Sequence, residues 1–204
     1  MKVEFWFDPA CPFCWMTSRW LTAVATERGL EVDWRPISLL FKNDAQPGSP
    51  YYEPISRTRD LLRVVESVRA AGDADTIGDL YTVFGRHIHH EGTGGFDVAE
   101  ALSSVGLDPA HAAALTEPSW DDAIREAMAD GLSLVGTDVG TPIIAVTGRH
   151  GRVGLFGPVI TEMPNADDGL RLWDGFIAMV DTPGFFELKR TRASSPDMST
   201  IHFD

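Results

Sequence analysis

The chain of 204 residues contains only two cysteines, Cys11 and Cys14. A disulfide-stapled scaffold needs several cysteine pairs, and a structural zinc site needs four cysteine or histidine ligands. The one histidine-rich stretch, 87–90, lies more than 70 residues from both thiols. A disulfide between residues so close in sequence would also stabilise the fold little. We therefore expect no metal site, and a dithiol that is available for chemistry.

Positive charge is also in short supply, with 17 lysines and arginines against 30 aspartates and glutamates and a net charge of −13. Nucleic-acid binding requires a basic face, so we expect no nucleic-acid partner.

No apolar run approaches the length of a membrane span, and no signal-peptide pattern precedes the first predicted strand. No Gly-x-Gly-x-x-Gly fingerprint for a nucleotide is present. We expect a cytoplasmic protein without a membrane partner or a tightly bound cofactor.

The two cysteines stand at a predicted strand-to-helix junction. An apolar run at residues 3–7 predicts a buried strand, and helical spacing of apolar residues begins at Pro12. Cys11 would then lie at the helix N-terminus, where unpaired N–H groups and the helix dipole favour a negative charge. We expect its pKa to lie below the ~8.5 of a free thiol. Cys11 is the candidate nucleophile, and Cys14, one turn later, is the candidate resolving thiol.

The remaining pattern predicts an α/β fold. A strand at 30–37 completes a βαβ unit with parallel strands, and residues 55–133 keep a helical period throughout. Apolar runs at 142–146 and 153–156 flank a turn and predict a hairpin, which a final helix follows. This order predicts a thioredoxin fold with an all-helical insertion between the second and third core strands. The predicted domains are a thioredoxin-like domain, 1–54 with 134–204, and a helical lid, 55–133.

Several motifs together carry a family resemblance over nearly the whole chain. They are Phe5-Trp6-Phe7-Asp8-Pro9, Cys11-Pro12-Phe13-Cys14-Trp15, Thr17-Ser18-Arg19-Trp20, Asp138-Val139-Gly140-Thr141-Pro142, Phe156-Gly157-Pro158-Val159 and residues 185–192. With these motifs the chain resembles the DsbA-like branch of the thioredoxin superfamily. Within that branch it is most similar to the actinobacterial mycothiol-dependent nitroreductases or reductases.

The resemblance implies roles for residues around the dithiol. Pro142 would be the cis-proline that faces Cys11 and Cys14, and the Thr141 backbone would lie beside Cys11, free to pair with an extended thiol substrate. Pro12, Phe13 and Trp15 would line the binding site and, together with Thr141, are the candidate binding residues. Phe13 and Trp15 could form an aromatic shelf for a flat substrate, although Trp15 could equally pack against the helical insertion.

The expected function is that of a thiol-disulfide oxidoreductase. Oxidising DsbA proteins carry histidine in their Cys-Pro-His-Cys motif, whereas Phe13 cannot donate a hydrogen bond, so we expect a reducing couple. It would reduce small-molecule or protein disulfides or nitroaromatic compounds, with mycothiol, by resemblance, as the low-molecular-weight thiol that regenerates it. Two alternatives stay open: a dithiol-dependent chaperone or holdase, and an isomerase or kappa-class glutathione-transferase-like enzyme. A homodimer stays open as the assembly.

For three further groups of polar residues, a role in the chemistry competes with a purely structural role. Asp8 could accept a proton from Cys14 or could only shape the turn. His87, His89 and His90 end a predicted helix, where cationic side chains suit the dipole, so we expect them on the surface. The basic residues of the tail could bind an anionic thiol or a neighbouring acidic face; they are Lys189, Arg190 and Arg192.

Overall fold

The computed structural model describes residues 1–92 and 95–203 and contains a four-stranded sheet in the order β2-β1-β3-β4. Its strands are β1 (Lys2–Phe7), β2 (Glu31–Pro36), β3 (Ile143–Gly148) and β4 (Gly151–Phe156). Strands β1 and β2 pair in parallel, whereas β1 with β3 and β3 with β4 pair antiparallel. Both the predicted βαβ unit and the predicted hairpin are confirmed.

Seven α-helices surround this sheet among the described residues. They are α1 (Pro12–Arg28), α2 (Leu39–Lys42), α3 (Tyr52–Ala71), α4 (Ile77–His89), α5 (Val98–Ser104), α6 (Asp121–Val135) and α7 (Ala166–Val180). Short 3-10 turns occupy Ala74–Thr76, Pro109–Thr116, Pro118–Trp120 and Met198–Thr200. No helix in the described part of the chain is long and apolar enough to cross a lipid bilayer.

The described chain between β2 and β3 forms only helices and turns, so the fold class is confirmed as a thioredoxin fold with a helical insertion. Helix α3 begins at Tyr52 and α6 ends at Val135, close to the predicted ends of the insertion. The division of the chain into a core domain and a lid domain stays a prediction.

Strand β1 is buried on both faces because its side chains alternate between two cores. Phe5 and Phe7 join the main cluster of buried residues, which includes residues of α1, α3 and α4. Trp6 lies on the opposite face in a smaller cluster, which partly buried residues of α6 cover. Its indole N–H donates to Ala127 O at 2.7 Å. Strand β1 is therefore held on both sides where it leads into the cysteine loop.

Helix α4 packs directly on α1 because Gly85 leaves room for the Trp15 ring. A Cβ atom at Gly85 would overlap that ring. Trp15 is fully buried, and Tyr81, one turn before Gly85, meets it edge to face at 5.6 Å between centroids. Trp15, which follows Cys14, therefore occupies a slot that exists only because residue 85 is a glycine.

We predict that Gly85→Ala destabilises the protein by about 1–3 kcal/mol, the usual cost of overpacking a core. The matched control is Gly175→Ala in α7, where an added Cβ meets nothing within 4 Å. That substitution should stabilise the protein by about 0.5–1 kcal/mol because alanine favours a helix interior. Urea unfolding of both variants measures the difference. Equal stability of the two variants would show that the slot around Trp15 is not tight.

Candidate active site

The two thiols occupy the start of α1. Cys11 is the N-cap residue with an extended backbone, and Pro12 stands at the first helical position, as predicted. The Cys14 N–H donates to Cys11 Sγ at 3.4 Å. Both cysteines are free, Cys11 half-buried and Cys14 fully buried. The more accessible sulfur is therefore the one at the helix start, as a nucleophile requires, with the second sulfur behind it.

Thr141 and Pro142 lie across from Cys11, directly before β3. The Thr141–Pro142 peptide bond is cis, and the Cys11 thiol lies 3.8 Å from Thr141 O, toward which it donates. The Thr141 hydroxyl is buried without a hydrogen-bond partner and lowers the pKa of Cys11. Antiparallel pairing of β3 with β1 brings this loop beside the dithiol, although 130 residues separate it from Cys11.

The expected low pKa of Cys11 is wrong for this structure. Burial raises the pKa of the Cys11 thiol above its ordinary value, and the negative charge of Asp8 adds to that effect. The nearby Thr141 side chain and the N–H groups of Cys14 and Phe13 lower the pKa, but they do not offset the loss of water. The donors at the helix start are outweighed by the desolvation of the thiol, which is the largest effect on its pKa.

Cys14 is a more strongly desolvated thiol. Its S–H donates to Trp6 O at 3.7 Å. Burial raises its pKa well above the ordinary value, and the neighbouring Cys11 raises it further. The Tyr81 side chain acts in the opposite direction and lowers the pKa of Cys14. Cys14 is therefore a neutral thiol at rest, and any step through its thiolate needs local stabilisation.

Asp8 is completely buried beneath the cysteine loop. Its Oδ1 accepts from Ala10 N at 2.9 Å and from the Thr58 hydroxyl at 2.7 Å, and its Oδ2 accepts from Leu39 N at 2.7 Å. Burial raises its pKa to about 6, although these three donors lower it. The carboxylate thus shapes the turn before Cys11, and its pKa also lets it exchange a proton near neutral pH. The structure favours neither interpretation alone.

The Trp15 ring cannot form the predicted aromatic shelf, because it is fully buried. It stacks on His89 at 5.9 Å between centroids, and its indole N–H donates to His90 Nε2 at 2.9 Å. Arg19 lies over the ring at 4.2 Å from its centroid. The alternative, in which Trp15 packs against the helical insertion, is the one that the structure shows.

The expectation that all three helix-end histidines lie on the surface is wrong for His89. Its Nε2–H donates to Pro9 O at 2.8 Å, which ties α4 to the cysteine loop. Burial lowers its pKa to about 4, so it is neutral at neutral pH. The sequence held a signal for this contact, because residues 81, 85 and 89 share one helix face at a spacing of four. His87 instead stacks on Phe96 at 4.5 Å.

A groove with a volume of about 560 Å³ opens beside Cys11. Its lining contains Ala10, Cys11, Pro12, Leu39, Asn43, Asp44, Ala45, Gln46, Ser49, Pro50, Tyr51, Pro54 and Ile55. Asp44 is the one charged residue of this lining, so the groove offers carbonyl, amide and hydroxyl groups but no cation. Asp44 and Tyr51 have positive φ angles of 45° and 66°, a backbone strain that is often found at ligand sites.

Phe13 and the basic tail meet at the mouth of the site. Phe13 is half-buried, and the Arg192 guanidinium lies over its ring, 5.0 Å from the centroid. Phe186 and Leu188 of the same tail are 87% and 81% exposed. Within residues 1–92 and 95–203, no three histidine, cysteine or acidic side chains form a cluster that could hold a metal ion.

Comparison with known proteins gives a family and a fold. The sequence model of the family described as "Rv2466c-like: Mycothiol-dependent nitroreductase Rv2466c" matches residues 10–190. The uncharacterized protein Rv2286c of Mycobacterium tuberculosis is 31% identical over 197 residues, which are 94% of this chain and 82% of that protein.

Solved structures support the same fold at lower sequence identity. The cytosolic disulfide reductase DsbM of Pseudomonas aeruginosa has a TM-score of 0.59 at 16% identity, covering 87% of this chain and 99% of its own. The probable DsbA oxidoreductase SCO1869 of Streptomyces coelicolor has a TM-score of 0.58 at 22% identity, covering 100% and 99%. These similarities confirm the DsbA-like architecture.

Alkylation of Cys11 should rise with pH and reach half its maximal rate above the pH of ~8.5 expected for a free thiol. Burial raises the pKa of Cys11, so the thiolate appears only at higher pH. Mass spectrometry after timed iodoacetamide pulses measures the rate at each cysteine. Thr141→Val should move the midpoint higher, because it removes a group that lowers this pKa. A midpoint below that of a free thiol would restore the helix-start expectation.

Asp8 should make stability fall as pH rises from about 4 to about 6. Burial raises its pKa from 3.8 to about 6, so the folded chain binds this proton more tightly than the unfolded chain. The contribution is present below the lower value and lost above the higher one, on the order of 3 kcal/mol in total. Urea unfolding across this range should show the slope in the native protein and not in Asp8→Asn. Parallel curves would contradict the shift.

Proposed function

Since the chain belongs to the Rv2466c-like family of mycothiol-dependent nitroreductases, we propose that it reduces disulfides or electron-poor aromatic compounds with the Cys11–Cys14 dithiol. The enzyme is an oxidoreductase of DsbA-like architecture. The observation that carries the proposal is the placement of a half-buried Cys11 at a helix start, opposite Thr141 and Pro142, with Cys14 one turn behind it.

With a disulfide substrate, the Cys11 thiolate attacks one sulfur and releases the other half as a thiol. The Cys14 thiolate then attacks Cys11 Sγ, which forms the Cys11–Cys14 bond and releases the second half. Asp8, with a pKa of about 6, is the nearby carboxylate that could accept a proton from the thiol pair. Two molecules of a thiol restore the dithiol and leave as their own disulfide.

With a nitroaromatic substrate, the dithiol supplies two electrons and two protons. The nitro group becomes a nitroso group, one oxygen leaves as water, and the enzyme becomes the disulfide. The half-buried Phe13 ring is the aromatic surface beside the sulfurs that remains for such a substrate, because Trp15 lies in the core.

The groove beside Cys11 supports an uncharged thiol as the regenerating partner. Its lining has no lysine or arginine, and its charged residue is the acidic Asp44. Glutathione carries carboxylates at both ends and would meet repulsion there, whereas mycothiol joins its cysteine to a sugar through an amide and has no carboxylate. Asn43, Gln46 and Ser49 offer hydrogen bonds to sugar hydroxyl groups.

The direction of the reaction is reduction in this proposal. The Phe13 side chain has no donor for a thiolate, and burial raises the pKa of Cys11 more than the nearby backbone N–H groups lower it, so the dithiol form is not specially stabilised as an anion. A reducing dithiol suits the reducing environment of the cytoplasm. The outer wall of the groove comes mainly from the chain between Asn43 and Tyr51, which leads into the helical insertion. We propose that the insertion itself, residues 55–133, acts as the lid.

Cys11→Ser should abolish turnover, because serine is not ionised at neutral pH and cannot replace a thiolate. Cys14→Ser should instead stop after the first step and accumulate one equivalent of substrate thiol on Cys11. Intact-mass measurement detects that adduct, and a dithiothreitol wash should remove it.

The two variants are controls for one another, because each keeps one of the two thiols. An adduct on Cys14 in the Cys11→Ser protein, with none on Cys11 in the Cys14→Ser protein, would reverse the assigned roles. Full turnover by Cys11→Ser would favour an isomerase-like reaction over a dithiol cycle. Client binding by Cys11→Ser without any redox turnover would favour a holdase.

A further inference from the structure

Four buried side-chain atoms in the described part of the chain make no hydrogen bond, and they lie around the dithiol or in the groove beside it. They are Arg19 Nη2, Ser49 Oγ, Tyr81 Oη and Thr141 Oγ1. An unpartnered buried polar atom destabilises a fold, so such atoms are rare and call for an explanation. Because they cluster around the dithiol, we interpret them as polar groups that can stabilise a negative charge, which the resting dithiol does not carry.

The Tyr81 hydroxyl is held in place behind Cys14. The ring is fully buried and stacks on Phe7 at 4.1 Å between centroids, and it meets Trp15 edge to face. The hydroxyl forms no hydrogen bond of ordinary geometry. It lies near enough to Cys14 to lower the pKa of that thiol, and the Ser18 side chain lies near enough to lower the pKa of Tyr81. The pKa of Tyr81 itself is raised well above its ordinary value by burial, so the hydroxyl keeps its proton.

Arg19 supplies positive charge behind this hydroxyl. Its Nη1 donates to the Thr82 hydroxyl at 2.7 Å, and its guanidinium lies 4.2 Å from the centroid of the Trp15 ring and 5.9 Å from that of Tyr81. No carboxylate of the described residues forms an ion pair with it. Burial lowers its pKa to about 10, and negative charges on Tyr81, Asp79 and Cys14 would oppose that shift. Arg19 is therefore a cation at neutral pH, with the Asp79 carboxylate nearby but outside salt-bridge distance.

We propose that the Tyr81 hydroxyl is a catalytic donor that stabilises the Cys14 thiolate during exchange, and that Arg19 is a positioning residue whose charge supports it. This inference rests on the proposed function, because the thiolate forms only when the Cys11–Cys14 bond is made or broken. It assigns to the helical insertion, through α4, a direct part in the chemistry.

The step can be written for either direction. In reduction, a thiolate attacks Cys11 Sγ, a new sulfur–sulfur bond forms there, and the Cys11–Cys14 bond breaks with its electron pair on Cys14 Sγ. That sulfur accepts the Tyr81 O–H as a hydrogen bond and then takes up a proton from Asp8 or from solvent. In oxidation, Cys14 gives its proton to the Asp8 carboxylate, attacks Cys11 Sγ of the mixed disulfide and releases the substrate half as a thiolate. Both directions pass through a charge on Cys14.

This role differs from that of an ordinary core tyrosine. A buried hydroxyl without a hydrogen bond adds desolvation cost and no hydrogen-bond stability, so Tyr81→Phe should keep the stack on Phe7 and should not lower the melting temperature. The resting thiol and the disulfide carry no charge on Cys14, so the reduction potential should also be unchanged. Only the rates of exchange should depend on the hydroxyl, and they should change by the same factor in both directions.

The test compares native protein, Tyr81→Phe and Ser103→Ala, the last being the loss of an exposed hydroxyl in α5, away from the groove lining. Stopped-flow fluorescence follows reduction of the oxidised protein by mycothiol. It also follows oxidation of the dithiol at disulfide concentrations where closure of the Cys11–Cys14 bond limits the rate. We expect Tyr81→Phe to slow both at least tenfold, about 1.4 kcal/mol, with Ser103→Ala within twofold of native. Arg19→Gln should slow both in the same sense.

A second measurement separates Cys14 from Cys11. In a Cys14→Ser background, Tyr81→Phe should leave the rate of adduct formation on Cys11 unchanged, because no charge develops at position 14. Three results would each overturn the role of Tyr81. They are equal slowing in the Cys14→Ser background, Tyr81→Phe rates within twofold of native, and a shifted reduction potential with only one direction slowed. Native protein that shows no exchange would overturn the proposed function itself, and this inference with it.

Discussion

The packing of Trp15 between α1 and α4 is the contact on which the active site depends. Gly85 leaves the space for the ring, and His89 and His90 hold it from the end of the same helix. Because Trp15 directly follows Cys14, the contact fixes the resolving thiol, and it brings Tyr81 within reach of that sulfur. The helical insertion is thereby a structural part of the cysteine site.

Burial raises the pKa of both thiols, whereas nearby hydrogen-bond donors lower it. A helix start alone would favour a thiolate at Cys11, but the loss of water outweighs the available hydrogen bonds. Cys14 is completely buried, and burial raises its pKa well above the ordinary value of a thiol. A site of this kind keeps its thiols neutral at rest and stabilises charge only where and when a sulfur–sulfur bond changes. Unpartnered donors around the dithiol fit that arrangement.

Local patterns were sufficient to predict the architecture and the placement of Cys11 and Cys14. Alternating and helical periods predict the βαβ unit, the insertion and the hairpin, because those signals extend only over neighbouring residues. The contact of His89 with the cysteine loop was missed because it joins residues 80 apart in sequence, and nothing local fixes that distance. The pKa of Cys11 was mispredicted since a sequence shows the helix end but not the depth of burial.

The groove and the dithiol come from separate stretches of the chain, residues 39–55 for most of the lining and the start of α1 for the sulfurs. Most of the wall belongs to a connection that leaves the edge strand β2, whereas the sulfurs follow the interior strand β1. Changes in the wall can therefore alter which molecules enter without moving the electron-carrying pair. Substrate range and redox chemistry can diverge independently in such a protein, so relatives with the same cysteine motif need not share a substrate.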